Sequence, residues 1–242
     1  MKNKFCLIIL AMAVLCPAVF AQSVTVTGKK IVYKRPKPIS AEKKTFWINH
    51  PRVKAATPAL SRKIQSAISF EKVIPLDINE EINEVQWLEE ADFTVDYNKH
   101  NMLTVTLSIY GSGAYPSSSN TTVVVNTKTG SKIEARDIFS DLNGLAAMIK
   151  KAQDKEIAEG IEVIKQDPDM KETDPKSLFE NAQFTAEDIK EFSISDKGVT
   201  FMYEYGFPHV IQALQPSGKY FFTWEQLKPF IKPGGLLTRI AR

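Results

Sequence analysis

Residues 104–139 read TVTLSIYGSGAYPSSSNTTVVVNTKTGSKIEARDIF. From Leu103 onward, apolar and polar residues alternate. Leu103, Val105, Leu107 and Ile109 share one face, and Thr104, Thr106, Ser108 and Tyr110 share the other. A strict period of two over this length is the pattern of a half-buried strand. Thr121–Asn126 repeats it, and Thr127-Lys128-Thr129-Gly130 supplies a turn whose glycine tolerates positive φ. Between the strands, Gly111-Ser112-Gly113 follows a strand without opening a helix and lacks the lysine of a phosphate-binding loop. It therefore reads as a bulge or wide hairpin loop.

Outward from this block the pattern mixes helices and strands. Thr57 and Pro58 suit the cap and first position of a helix whose apolar stripe is Leu60, Ile64 and Ile68. Ile78–Glu89 reads as an acidic second helix and Asp92–Tyr97 as a strand, followed by the turn Asn98-Lys99-His100-Asn101. Leu142–Lys165 is the main helix, weakened at Gly160. Asp174-Pro175 opens a short helix through Phe179, and Thr185–Asp188 and Thr223–Gln226 resemble capping boxes. Phe192–Ser195 and Val199–Tyr205 flank Asp196-Lys197-Gly198 as a hairpin, and Lys219–Thr223 is a further strand. The expected fold is α+β, an antiparallel β-sheet with helices packed on one face.

At the N-terminus, Lys2 and Lys4 precede an apolar run, Phe5–Phe20, and Val19-Phe20-Ala21 is a small-residue cleavage site. The run is 16 residues long, short of the roughly 20 a spanning helix needs. Residues 1–21 are thus read as a signal peptide for a periplasmic or secreted protein. Leu15 before Cys16 is too bulky for lipid attachment. Both cysteines, Cys6 and Cys16, fall in this segment, so the remainder carries no disulfide and no thiolate ligand. Removing Lys2 and Lys4 leaves 29 basic against 28 acidic residues, a balance unlike that of nucleic-acid binders. Residues 22–44 form a basic, extended leader with an edge strand at Lys30–Tyr33. Its cations invite contact with an anionic envelope polymer or lipid headgroups, but a plain solvated linker is the favoured reading, since charge runs are usually solvated. One domain is expected over 45–232, a helix–strand part to about residue 130 and a helix–hairpin–helix part after it, with a tail at 233–242.

Chemistry is sparse. His50, His100 and His209 have no metal-site spacing, no GxSxG occurs, and the acid pairs Glu89–Glu90 and Asp92–Asp96 are commonplace at this charge content. No cofactor or metal is expected, and no catalytic residue is assigned. Aromatic residues beside small polar ones suit sugar or protein recognition. The candidate ligand-binding residues are Tyr110, Gly111, Ser112, Gly113, Tyr115, Tyr205 and His209.

The order strand, Gly111–Pro116, strand, Thr127–Gly130, Asp137-Ile138-Phe139 resembles the ectodomain of RsiV-type anti-sigma factors. It is similar also to the noncatalytic module of PdaC-type peptidoglycan deacetylases, an extracytoplasmic domain of unknown function. The stretch from Asp196 to Ile231 looks like that family's last strands and closing helix, and the resemblance covers Thr45–Ile231. Tyr115 stands where many members have histidine. The resemblance implies a free-standing binding or sensing module for cell-wall glycan (peptidoglycan) or a protein partner such as lysozyme. The readings kept beside it are an envelope hydrolase pairing His209 with a carboxylate, and a structural envelope component.

Overall fold

The computed structural model describes residues 24–172 and 174–240. The signal segment read at 1–21 lies outside them. In chain order the elements are β1 (Thr25–Lys34), β2 (Thr45–Lys54), α1 (Pro58–Ala67), α2 (Phe70–Val73), α3 (Ile78–Asn83), β3 (Leu88–Lys99), β4 (Met102–Ser112) and β5 (Pro116–Asn126). They continue with α4 (Ala135–Ile138), α5 (Leu142–Gln166), β6 (Phe192–Ile194), β7 (Gly198–Met202), β8 (Lys219–Thr223) and α6 (Trp224–Leu227), with short 3-10 turns between.

The fold is α+β. A five-stranded sheet has the order β1-β2-β3-β4-β5, and a three-stranded sheet has the order β6-β7-β8. Every pairing is antiparallel except β2 with β3, which is parallel because α1, α2 and α3 carry the chain back across the sheet. The apolar face of β4, Leu103, Val105 and Leu107, is buried with Val123 and Val125 of β5 under Ile64 and Ile68. Thr57 caps α1 by accepting the Leu60 amide, with Pro58 at the first helical position. The opposite face is buried too, but only at one end. There Met102 and Val124 join Phe192, Ile194, Val199 and Phe201 of the small sheet and Leu145 and Ile149 of α5. Alternation along β4 therefore separates two cores. A third cluster, around Ile164, Met170, Phe179 and Phe207, lies at the far end of α5.

Several elements depart from the sequence reading. Ile78–Glu89 is not one helix: α3 ends at Asn83, and β3 starts at Leu88 because Leu88 and Ala91 are core residues of the sheet. The glycine run does not break β4, which continues to Ser112, while β5 starts already at Pro116; only Gly113-Ala114-Tyr115 remain as the turn. Strand β7 stops at Met202 rather than Tyr205, and α5 passes through Gly160.

The basic leader is woven into the sheet. Strand β1 pairs along its whole length with β2, well beyond Lys30–Tyr33. Two of its cations are internal. The Arg35 side chain is 0% exposed and ion-paired with Glu81, donates to the carbonyls of Glu81 and Leu88, and stacks over Phe46. Lys43 pairs with Glu89 at 2.8 Å. At the other end, Leu237 sits in the larger core.

Candidate functional site

The polar face of β4 and its cross-strand neighbours build one wall of a cleft. Antiparallel pairing sets Thr106 opposite Thr122, Ser108 opposite Asn120 and Tyr110 opposite Ser118, and paired residues point to the same face. Where Thr104 and Val124 continue this face, the small sheet covers it. Beyond that edge, Thr106, Ser118, Asn120 and Thr122 open into a cavity of about 450 Å³. Its other wall is the end of β7 with Tyr203 and Glu204, and Ser217–Lys219 at the start of β8. Glu191, just before β6, ties the walls together: its carboxylate accepts the Thr122 amide at 2.7 Å. Burial pushes the Glu191 carboxyl above the usual carboxylate range, helped by the nearby charge of Glu204 and opposed by the Thr122 amide and Lys132.

Residues 203–218 form a strap that leaves β7 and returns to β8. Its two ends are clamped where the Tyr203 amide donates to the Gly218 carbonyl at 2.8 Å. Gly218 has φ +61°, and a Cβ there would stand 2.0 Å from the Tyr203 carbonyl oxygen, so the clamp requires glycine. Within the strap, Gln215 donates to Glu204 and accepts from the Phe207 amide. Glu156 of α5 anchors it from behind. That carboxylate accepts hydrogen bonds from the hydroxyls of Tyr205 (2.9 Å), Tyr220 (2.7 Å) and Ser217 (2.7 Å), and from the Gly218 amide. Burial pushes Glu156 up, but these four donors outweigh it and hold the carboxyl below its ordinary range.

The residues singled out from sequence separate into groups. Tyr115 and His209 come together, ring centroids 5.2 Å apart, with the His209 Nε2 3.5 Å from the Pro116 carbonyl oxygen. The strap thus reaches the β4–β5 turn, and the two loops meet at the start of β5, outside the cleft lining. Tyr115 is 65% exposed and Tyr110 lies open on the cleft-facing side of β4. Gly111 and Ser112 are turned to structural use. A Cβ on Gly111 would meet the Trp87 carbonyl oxygen at 2.3 Å, and the Ser112 hydroxyl donates to Glu89, which also holds Lys43. Gly113 lies in the exposed turn. Tyr205 faces away from His209, toward Glu156, Phe179 and Phe207. The acid pairs are occupied as well: Asp92 accepts from Asn49, and Asp96 from Thr94 and Thr106.

Sequence reading missed Asn120, Thr122, Glu191 and Glu204. For the first two the available signal was the pairing of β5 with β4, which sets Asn120 and Thr122 opposite the polar residues Ser108 and Thr106. The two glutamates come from distant segments whose meeting only the packing of the sheets decides. Among the described residues, His209 has no ion pair with a carboxylate, and no three His, Cys, Asp or Glu residues gather as a metal site would need.

This combination, a large antiparallel-dominated sheet with a small sheet and long helix against one end, defines the class of fold. It is shared with a solved DUF3298-family member from Bacteroides fragilis, at TM-score 0.53 and 11% identity over 91% of this chain and 97% of that one. A DUF3298-family protein from Pseudomonas aeruginosa PAO1 is similar at TM-score 0.51 and 12% identity, over 87% of this chain and 95% of that one. At such identities the likeness is one of fold. No protein-family model matches the chain, and no curated protein sequence matches it.

Proposed function

We propose that this chain is a non-catalytic extracytoplasmic binding module whose cleft between the two sheets takes a segment of cell-wall glycan. The observation that carries this reading is the lining of the cleft. Threonine and serine hydroxyls, the Asn120 amide and the carboxylates of Glu191 and Glu204 line a space of about 450 Å³, beside Tyr203, whose ring packs against Phe184 and Tyr205. Sugar hydroxyls are recognised by such a set of convergent donors and acceptors. The resemblance of the β4–β5 block to RsiV- and PdaC-type extracytoplasmic modules and the signal-like residues 1–21 support the same location. Among the described residues, no helix is long and apolar enough to cross a membrane.

Retention of the purified protein on insoluble peptidoglycan, beside retention on immobilised lysozyme, tests the reading. Binding to peptidoglycan that is lost on filling the cleft with Asn120→Arg supports it. Retention on lysozyme alone would favour a protein partner, and retention on neither would overturn both. The hydrolase reading needs a carboxylate beside His209. His209 is exposed, and its polar partner is the Pro116 carbonyl, so the geometry favours a role in holding the strap to the β4–β5 turn.

A further inference from the structure

On the other side of β5 from the cleft lies a second cavity, of about 600 Å³, between that strand, α1 and α2. Four cations surround it: Arg62 and Lys63 from α1, Lys72 from α2, and Lys132 from the segment that pairs with Val125. All four are exposed, and none is in an ion pair among the described residues. Lys63 donates to Ser131. No acidic residue lines the cavity, although Glu191 acts on Lys132 from across the strand. The floor is different in kind. Ala67 and Val73 lie there half-buried, over the buried Val123, and the exposed wall is more apolar than polar.

A cavity of this size is in the range of small-molecule sites. Like charges gathered with few counterions repel one another and cost stability, so they are tolerated where an anion visits. An apolar floor under a cationic rim matches a molecule with the converse layout. We propose that this cavity binds an amphiphilic anion, an apolar chain or ring system carrying a phosphate or carboxylate head, with the body on Ala67 and Val73 and the head among Arg62, Lys63, Lys72 and Lys132. The site is separate from the glycan cleft, so either proposal can fail alone. The seven cations of the leader, the obvious candidates in sequence, are poorer ones, since Arg35 and Lys43 are themselves buried and held in ion pairs with Glu81 and Glu89.

The test is calorimetric titration with dodecyl phosphate below its micelle concentration, beside dodecyl maltoside and inorganic phosphate. Dodecyl phosphate is expected to bind saturably at one per chain and more tightly than either control. Its affinity falls with salt, because the contacts are exposed charges. Arg62→Glu with Lys72→Glu weakens it about tenfold or more, whereas Lys151→Glu on the exposed side of α5 leaves it unchanged. If the double reversal does not fold, Lys72→Gln carries the test with a smaller loss. Flotation with phosphatidylglycerol against phosphatidylcholine vesicles separates the sources. Charge-dependent flotation identifies a lipid headgroup, and its absence beside dodecyl phosphate binding identifies a free amphiphile. Equal affinity for dodecyl phosphate and dodecyl maltoside, or undiminished binding by the folded variants, would overturn the proposal.

Discussion

Two glutamates on either side of the strap behave oppositely, and the difference is measurable. Glu156 is held below its ordinary range by four donors, so its contribution to stability is fully present above the unfolded value of about 4.3. It is lost as pH falls through the folded value. Glu156→Gln should cost about 1.5–3 kcal/mol at neutral pH, since hydrogen bonds to a charged acceptor are replaced by weaker ones. That deficit shrinks in acid, as chemical denaturation at several pH values would record. Glu191 is displaced upward, so keeping it charged costs stability once pH rises above the unfolded value. Glu191→Gln keeps an oxygen for the Thr122 amide, and its stability relative to wild type should rise with pH over that window. Parallel pH profiles for the two variants would contradict both assignments. At Gly111 the argument is steric. Alanine there should destabilise by about 1–3 kcal/mol in urea unfolding, because the obstacle is the Trp87 backbone rather than a flexible side chain.

Among the elements, β1 and the strap carry the surprises. Composition marks 22–44 as a solvated basic leader, yet β1 is a fully paired edge strand and Arg35 is wholly buried. A lysine- and arginine-rich segment gives no apolar period to read, because an edge strand on a half-covered sheet buries little of itself. Removing one member of a buried ion pair leaves the other uncompensated, so Arg35→Ala should cost about 3–5 kcal/mol. A loss below 1 kcal/mol in thermal or urea unfolding would show that the leader is dispensable to the fold. The strap is read poorly from sequence for another reason. Its 3-10 turn at His209–Leu214 lacks helical periodicity, and its anchors, Glu156 and Tyr115, are distant in the chain. Tyr115→Ala should speed amide hydrogen exchange at residues 208–214 while leaving β4 and β7 protected. Unchanged exchange there would mean that the Tyr115–His209 contact does not hold the strap.

For the whole molecule, the part legible in sequence is the part that alternates. Leu103–Tyr110 announced β4, its apolar face and its polar face, and Thr57-Pro58, Asp174-Pro175 and Thr223–Gln226 marked helix starts that the structure keeps. The α+β class followed from these. The cleft did not, because one wall is that polar face while the other depends on how the small sheet docks on Met102 and Val124. Tyr115 and His209 lie outside the cleft lining, which includes Asn120, Thr122, Glu191 and Glu204. We have proposed that glycan binds in this polar cleft between the two sheets. The most direct measurement is the NMR titration of isotopically labelled protein with soluble peptidoglycan fragments, repeated with Asn120→Arg. Saturable shifts concentrated at residues 118–122, 202–204 and 217–219, disappearing in the variant, are the expected result. Shifts confined to other surfaces, or undiminished in Asn120→Arg, would contradict it.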